Sequence, residues 1–238
     1  MIDEAVDELA KVKTQHADSQ KEAIRETEVI LKDIKSNLAR IHEHGSRADG
    51  IVKSMLLHSR GGDGKMEPTD LNALIKEYVI LSFHGMRAGK NPINVDIKMD
   101  LDDSVGDVPL VVEDFSRVIL NLCNNAFDAM RDKLATTLPG VKSYPQSPNY
   151  KPTLSVRTKK ASDGITIEIE DNGPGIREEI KDKILQPFFT TKKGTEGTGL
   201  GLSITNDIVK AHGGELSVGS AARQGAVFTI ALPNPQDK

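Results

Sequence analysis

The sequence has little of what several classes of protein depend on. Its 238 residues include one cysteine, no tryptophan and only 4% aromatic residues. A single cysteine excludes an internal disulfide framework and a multi-cysteine zinc site, and it favours a reducing, cytoplasmic setting. Few aromatic rings leave little material for the stacking platforms that bind single-stranded nucleic acid or sugars.

Charge and hydropathy argue against two further classes of protein. The 31 basic and 35 acidic residues give a net charge of −4, so we predict no nucleic-acid partner held by a broad basic surface. No apolar run approaches the roughly 18 residues of a transmembrane helix, and no charged start leads into a hydrophobic stretch. We therefore expect no membrane segment in this chain, although the parent protein could be membrane-attached.

The first part of the chain has the pattern of a dimerisation helix. From residue 24 onwards, apolar and small residues recur at alternating spacings of three and four, as in the heptad seam of a coiled coil. The seam consists of Ile24, Thr27, Leu31, Ile34, Leu38, Ile41, Gly45, Ala48, Val52, Met55 and Ser59. Charged flanks mean that this stripe needs a partner helix. We predict that residues 1–60 are part of a hairpin that forms a homodimer; an intramolecular hairpin is the alternative.

A glycine-rich stretch ends this periodicity. Gly61, Gly62 and Gly64 interrupt the helical pattern, so we predict a linker at residues 61–68. A second domain over residues 69–238 is expected to follow.

The second domain has enough apolar residues for a core of its own. Thr69 is predicted to cap a first helix, and Pro109 is predicted to lie in the first turn of a long helix that ends near Leu134. Residues 135–152 contain several prolines and are predicted to be a surface excursion. Further on, helical and strand patterns interleave irregularly. We therefore predict an α+β fold, a sandwich with helices on one face of a mixed sheet.

Two asparagines on the long helix form the first candidate motif. Asn121 and Asn125 are four residues apart, so both amides project from one helical face. An amide oxygen is a neutral ligand that suits Mg²⁺ already held by phosphates. Taken alone, the pair also fits asparagines that bond a neighbouring loop.

A second motif follows a predicted strand. Asp171-Asn172-Gly173-Pro174-Gly175-Ile176 places a carboxylate beside two glycines that permit close backbone approach to a flat ligand. A carboxylate at the floor of such a turn accepts a hydrogen bond from an exocyclic amine, as on adenine. The alternative is an ordinary strand-to-helix turn with a capping aspartate.

The third and fourth motifs lie close together. Pro187-Phe188-Phe189-Thr190-Thr191-Lys192 precedes Gly194-Thr195-Glu196-Gly197-Thr198-Gly199-Leu200-Gly201-Leu202. The alternating glycines run into a predicted helix N-terminus, where unpaired N–H groups attract phosphate. The spacing matches neither a P-loop nor a dinucleotide fingerprint. Lys192 or Lys193 could reach a terminal phosphate.

In this order, the four motifs resemble the N, G1, F and G2 boxes of the sensor histidine kinase catalytic domain. That domain is a Bergerat-fold ATPase, like gyrase, Hsp90 and MutL. The resemblance covers roughly residues 70–233, including a closing strand similar to the family's at Gly225–Pro233.

The resemblance implies ATP and Mg²⁺ as cofactors and assigns the site. It implies that Asn125 coordinates Mg²⁺, that Asp171 binds the adenine amino group and that residues 186–200 form a lid. Asn121 and Asn125 are implied as catalytic residues. The implied nucleotide-binding set is Asn121, Asn125, Asp171, Gly173, Gly175, Ile176, Thr191, Lys192, Gly197, Thr198, Gly199, Leu200, Gly201, Leu202 and Thr229.

One position predicts the type of reaction. ATP-hydrolysing relatives carry a glutamate four residues before the metal-binding asparagine, where it activates water. Here that position is Asn121, whose neutral amide cannot accept a proton. The chain therefore resembles a phosphotransferase, in which a histidine attacks the γ-phosphoryl group and positioning supplies most of the catalysis.

The resemblance also implies partners and an acceptor histidine. A response regulator protein is the expected partner in two-component signalling. His42-Glu43 is the only histidine followed by an acidic residue, but it lacks the rest of the usual box. We expect the accepting histidine upstream of Met1 or on another protein, rather than at His16, His42 or His58. Asp128 occupies a position where many such kinases have a basic residue, and Arg131 lies one turn later.

Two other functions remain open at this stage. One is an ATP-driven clamp or ATPase of the gyrase, Hsp90 and MutL class. The other is a dimerising regulator that binds nucleotide poorly.

Overall fold

The computed structural model describes residues 64–136, 150–192, 197–220 and 225–234, together with 20–22, 24–42, 44–45, 48 and 52 of an N-terminal helix. The predicted surface excursion at 135–152 lies largely outside these ranges, as do residues 61–63 of the predicted linker and the residues around His16 and His58. No helix among the described residues is long and apolar enough to cross a membrane.

The N-terminal helix α1 is continuous over residues 24–42 and exposes its apolar seam. Ile24, Leu31, Leu38 and Ile41 are 58–67% exposed, and Ile34 is 48% exposed. His42 lies in this helix and is exposed. The seam is therefore available to a partner helix, and the dimer stays a prediction.

A five-stranded mixed sheet forms one layer of the domain. Its strands are β2 (Asp96–Leu101), β4 (Thr153–Ala161), β5 (Gly164–Asp171), β6 (Glu215–Ser220) and β7 (Ala226–Pro233). Their order in the sheet is β2-β4-β5-β7-β6, with β2 parallel to β4 and all other neighbours antiparallel. Along β5 the isoleucines at 165, 167 and 169 are buried while the residues between them are half-buried, which is the alternation of a sheet with one covered face.

Helices cover that face of the sheet and form the second layer. They are α2 (Leu71–Ala88), α3 (Val112–Thr136) and α5 (Gly201–Ala211), while the short α4 (Glu178–Lys181) contains no buried residue. The apolar side of α3 carries Phe115, Ile119, Leu122 and Met130, all at most 1% exposed, and it packs against β5, α2 and α5. The predicted α+β fold with helices on one face of a mixed sheet is confirmed.

Two short strands were absent from the prediction. β1 (Glu67–Asp70) pairs antiparallel with β3 (Asp107–Leu110). Pro109 therefore lies in a strand, and α3 begins only at Val112, so the predicted place of Pro109 in a helix was wrong. Strand β1 begins at Glu67, inside the linker that was predicted for residues 61–68.

The predicted cap of the first helix is displaced by one residue. Thr69 pairs with Val108 in the β1–β3 ladder, and Asp70 caps α2 by accepting a hydrogen bond from the Ala73 N–H at 2.9 Å. Threonine and aspartate are both favourable at an N-cap, so the strand pairing decides which of them takes it.

His212 ties the end of α5 to the start of α3. Its Nε2 accepts from the Val111 N–H at 3.0 Å, and its Nδ1 donates to the Ile208 carbonyl at 2.7 Å. The ring is 5% exposed and meets Phe115 edge to face. This pair of bonds requires the neutral imidazole with its proton on Nδ1.

We expect His212→Ala to lower the free energy of unfolding by roughly 2–4 kcal/mol, because it leaves a buried N–H without an acceptor and opens a cavity. Urea unfolding measures the loss. His84→Ala, at an exposed histidine on α2, is the matched control and should change stability by less than about 0.5 kcal/mol. Equal stability of the two variants would contradict this role.

Candidate functional site

A cavity of about 440 Å³ opens between α3, the turn after β5, the start of β7 and the segment that leads into α5. Its lining combines apolar side chains with amide, hydroxyl, carboxylate and ammonium groups. The predicted site residues that line it are Asn125, Asp171, Gly175, Ile176, Thr191, Lys192, Gly197, Thr198, Gly199, Gly201 and Leu202. The four sequence motifs therefore meet at one cavity.

Asp171 ends β5 and supplies the carboxylate of the cavity. It is 3% exposed, and its Oδ1 accepts from the Gly173 N–H at 2.7 Å. Burial raises the pKa of Asp171 to about 6, against the opposing effects of the Gly173 and Ala226 N–H groups and the charge of Lys133. Near neutral pH the cavity floor thus offers an anionic hydrogen-bond acceptor.

Gly173 does not line the cavity but fixes the turn. A side chain there would lie 2.7 Å from Asp171 Oδ1 and 3.1 Å from Ala129, so only glycine fits between the helix and the carboxylate.

The two asparagines of the first motif have different surroundings. The Asn121 amide donates to the Gly201 carbonyl at 3.3 Å and to Thr205 Oγ1 at 3.4 Å, which connects α3 to α5. Asn125 lines the cavity one turn later and is half-buried. Asn125 is therefore placed to offer its amide oxygen to a ligand, whereas Asn121 holds the start of α5 in place.

The third and fourth motifs pack against each other. Gly199 and Phe188 both have positive φ, 70° and 65°. A Cβ on Gly199 would lie 2.4 Å from the Phe188 carbonyl carbon, so this glycine is required by the close approach of two backbone segments. Leu200, which is buried beside it, anchors the start of α5 and does not line the cavity.

Cationic groups gather at the α3 side of this region. The Lys192 ammonium donates to Asp128 Oδ2, and Arg131 Nη1 donates to Asp128 Oδ1 at 2.5 Å. The Arg131 Nε–H also donates to the Asn91 carbonyl at 2.8 Å. One carboxylate thus faces two cations, and Lys192 and Asp132 both line the cavity on this side.

Thr229 lies away from the cavity. On β7 the buried residues Ala226, Phe228 and Ile230 alternate with Val227 and Thr229, so successive side chains point to opposite faces. Ala226 and Phe228 line the cavity, and Thr229 does not. We therefore leave Thr229 out of the proposed site.

Other cavity residues were missed at the sequence level. Ala129 follows Asn125 by four residues and lines the cavity, and Lys133 follows Ala129 by four and contacts the turn after Asp171. Repetition of the spacing between Asn121 and Asn125 would have pointed to both. No comparable signal marks the apolar lining residues Ile180 and Ile184, whereas Phe189, which also lines the cavity, belongs to the third motif.

Comparison with known proteins gives a consistent match. Residues 110–236, more than half of the chain, match the sequence model of the family described as "Histidine kinase-, DNA gyrase B-, and HSP90-like ATPase". The sensor kinase CckA of Brucella abortus is 32% identical over 197 residues, which cover 83% of this chain and 20% of CckA. The signal transduction histidine-protein kinase AtoS of Escherichia coli is 32% identical over 211 residues, 87% of this chain and 29% of AtoS.

Solved structures are similar as well. The catalytic domain of the histidine kinase ThkA, in a nucleotide-free form, has a TM-score of 0.57 at 28% identity and covers 73% of this chain and 99% of that domain. ThkA in complex with the response regulator protein TrrA has a TM-score of 0.59 at 25% identity, over 86% of this chain and 53% of that one. The chain spans less than a third of the length of the two curated relatives above.

Proposed function

Because the chain belongs to the family of histidine kinase-, DNA gyrase B- and HSP90-like ATPases, we propose that it is the catalytic region of a sensor histidine kinase. In this proposal it binds ATP in the cavity and transfers the γ-phosphoryl group to a histidine. The observation that carries the proposal is the buried Asp171 carboxylate in a cavity that is also lined by the N-terminus of α5.

The Asp171 end of the cavity suits adenine. A buried carboxylate accepts from the exocyclic amino group of adenine, whereas guanine presents a carbonyl oxygen at that position and is repelled. Ile176, Ile180 and Ile184 line the same cavity and provide apolar surface for a flat base. The proposed selectivity for adenine over guanine rests on this combination.

The other end suits phosphates and a metal ion. The N–H groups in the first turn of α5, which a helix leaves without intrahelical acceptors, and the Lys192 ammonium favour negative charge. We propose that Asn125 adds its amide oxygen to a Mg²⁺ ion whose other ligands are phosphate oxygens and water. Such an ion would neutralise charge on the phosphates. Among the described residues, no group of three or more histidine, cysteine, aspartate or glutamate side chains is placed to hold a metal.

Asn121 favours transfer over hydrolysis. Its amide cannot remove a proton from water, and it is bonded to Gly201 and Thr205. The protein would therefore act by holding the phosphates in position for an incoming nucleophile, which brings its own lone pair. An imidazole nitrogen is such a nucleophile.

The partners and location belong to the same proposal. The exposed seam of α1 fits a second copy of the chain, and a homodimer would cover it. A response regulator would accept the phosphoryl group from the histidine, as the complex of the similar kinase ThkA with TrrA suggests. We place the accepting histidine outside this chain and the catalytic region in the cytoplasm. We likewise propose that the helical segment ends at residue 60 and that a separate domain follows. The prediction started this domain at residue 69, and β1 extends its start to Glu67.

Incubation with γ-labelled ATP and Mg²⁺ tests the proposal. The chain is incubated alone and with a separate helical hairpin that carries a histidine followed by an acidic residue. We expect label on the hairpin that is lost in acid and retained in alkali, as phosphohistidine is. Steady phosphate release without transfer would favour an ATPase, and acid-stable label would point to serine or threonine. Absence of MgATP binding at millimolar concentration would favour the nucleotide-poor regulator.

Asn125→Ala should lower the rate of transfer about 100-fold, because it removes a ligand that acts where charge develops on the phosphates. The rate of label transfer measures the effect at saturating ATP and varied Mg²⁺. Asn124→Ala is the matched control, since Asn124 is the exposed neighbour on α3 and does not line the cavity. Equal rates in the two variants would contradict the role of Asn125.

A further inference from the structure

A lysine on α3 contacts the turn that follows Asp171. Lys133, two turns after Asn125 on α3, donates to the Asn172 carbonyl at 2.7 Å and to the Gly173 carbonyl at 2.9 Å. Its ammonium also lies 4.7 Å from the centre of the Tyr150 ring. One cation thus holds both carbonyls that immediately follow the carboxylate.

Asn172 in the same turn makes three further hydrogen bonds. Asn172 Oδ1 accepts from the Tyr150 hydroxyl at 3.1 Å and from the Thr153 N–H at 2.9 Å, and its amide donates to the Lys151 carbonyl at 2.7 Å. These hydrogen bonds connect the turn to residues 150–153, at the start of β4. Lys133 approaches from α3 and completes the support from the helical layer.

Among the described residues, the titratable groups that face Asp171 come from three elements. Lys133 faces it from α3, Tyr150 from the segment before β4, and Glu170 from β5 itself. Asp132 on α3 and Lys192 line the same cavity. Burial lowers the pKa of Lys133, whereas the negative charge of Asp171 raises it. Burial and the charge of Asp171 both raise the pKa of Tyr150, which stays a neutral donor. Lys133 is therefore the cation that favours an ionised Asp171.

We propose that Lys133 is a positioning residue for recognition of the nucleobase. It fixes the backbone of the turn through two carbonyls and, together with the N–H groups of Gly173 and Ala226, favours the ionised form of the Asp171 carboxyl. The proposal rests on the proposed function in one respect, namely that Asp171 receives the amino group of adenine.

The arrangement solves a physical conflict at the floor of the cavity. A carboxylate buried this deeply tends to take up a proton, and a protonated acid would place a donor where the adenine amino group needs an acceptor. A direct salt bridge would keep the charge but would occupy the oxygen that the base must reach. Lys133 avoids this because it bonds the neighbouring carbonyls and acts on Asp171 through space.

The test measures pH dependence with and without nucleotide. The Asp171 side-chain carboxyl is titrated by carbon NMR in the ligand-free wild type, Lys133→Met, Lys133→Arg, Tyr150→Phe and Lys159→Met. ATP binding is measured by calorimetry over pH 5 to 8 in the same set. Lys159 is exposed on β4 and serves as the matched control for loss of a lysine charge.

Protonation of Asp171 should weaken wild-type ATP binding as the pH falls through about 6, the raised pKa of the carboxyl in the folded protein. Without the lysine charge the carboxyl takes up its proton at higher pH, so Lys133→Met should move both midpoints upward by about half a pH unit or more. Lys133→Arg should restore them. Tyr150→Phe should weaken binding without moving either midpoint, because it removes a hydrogen bond and no charge.

Several results would overturn the role of Lys133. An unchanged NMR midpoint in Lys133→Met would refute it whether or not ATP binds, as would an equal shift in Lys159→Met. Absence of ATP binding in the wild type together with a shifted NMR midpoint would refute the nucleotide site while leaving the coupling between Lys133 and Asp171 intact. If Lys133→Met does not fold, Lys133→Gln carries the same test.

Discussion

Replacement of Asp171 by asparagine is expected to weaken ATP binding by about 2–3 kcal/mol, or roughly 30- to 150-fold. The variant keeps the size of the side chain but replaces an anionic acceptor by a neutral amide. Its NH₂ group would face either the adenine amino group or the N–H groups of Gly173 and Ala226, which Asp171 now satisfies. Calorimetry with MgATP and MgGTP at pH 7.5 measures the change.

The comparison of nucleotides separates recognition from folding. Asp171→Asn should weaken the binding of ATP and leave the binding of GTP equal or stronger, because the amide can donate to the guanine carbonyl. Glu168→Gln is the matched control, since Glu168 lies on the same strand, is half-buried and pairs with Arg157 at 3.4 Å. Equal weakening of both nucleotides by Asp171→Asn, or an equal effect of Glu168→Gln, would contradict a role in reading the base.

Much of the fold was predictable because the local spacing of apolar residues indicates its main elements. The alternating isoleucines of β5 and the apolar stripe of α3 each mark one buried face. The β1–β3 pair carries no such signal, since each strand has four residues and Pro68 lies opposite Pro109. Proline is rare inside strands, so only the pairing of distant segments reveals this ladder.

The site was predictable to the extent that its residues form ordered motifs. Asp171, Asn125 and the glycines before α5 all meet at the cavity as the resemblance implied. Whether Asn121 or Asn125 faces the cavity depends on Thr205 and Gly201, which approach from another helix. Helical spacing places Lys133 on the same face as Asn125, but only the fold brings the carbonyls of Asn172 and Gly173 against it.

Exposure of the α1 seam links the two parts of the proposed kinase. The described seam residues cannot leave water within a single helix, whereas the nucleotide domain buries its own core without them. Dimerisation would therefore depend on α1, and nucleotide binding on the domain that begins at Glu67.

Addition of a single methyl group at Gly225 is expected to cause a large loss of stability and ATP affinity. A Cβ there would lie 1.7 Å from the Asp171 carbonyl oxygen and 2.8 Å from the Asn172 Cα, far inside the 3.5–4.0 Å of ordinary contact. Both neighbours are backbone atoms of the turn that presents the carboxylate, so Gly225→Ala must displace that turn or the start of β7. We expect a loss of about 3 kcal/mol or more, divided between stability and ATP affinity.

Gly85→Ala tells this clash apart from a general effect of adding a methyl group. Gly85 lies within α2 with nothing within 4 Å of its Cβ position, so alanine there should stabilise the helix by about 0.5–1 kcal/mol. Urea unfolding and ATP titration of both variants measure the contrast. Since Ala226 donates its N–H to Asp171, displacement of this strand end would also alter the pH dependence of binding. A Gly225→Ala variant as stable as the wild type, with unchanged ATP affinity, would show that the approach of β7 to Asp171 does not shape the site.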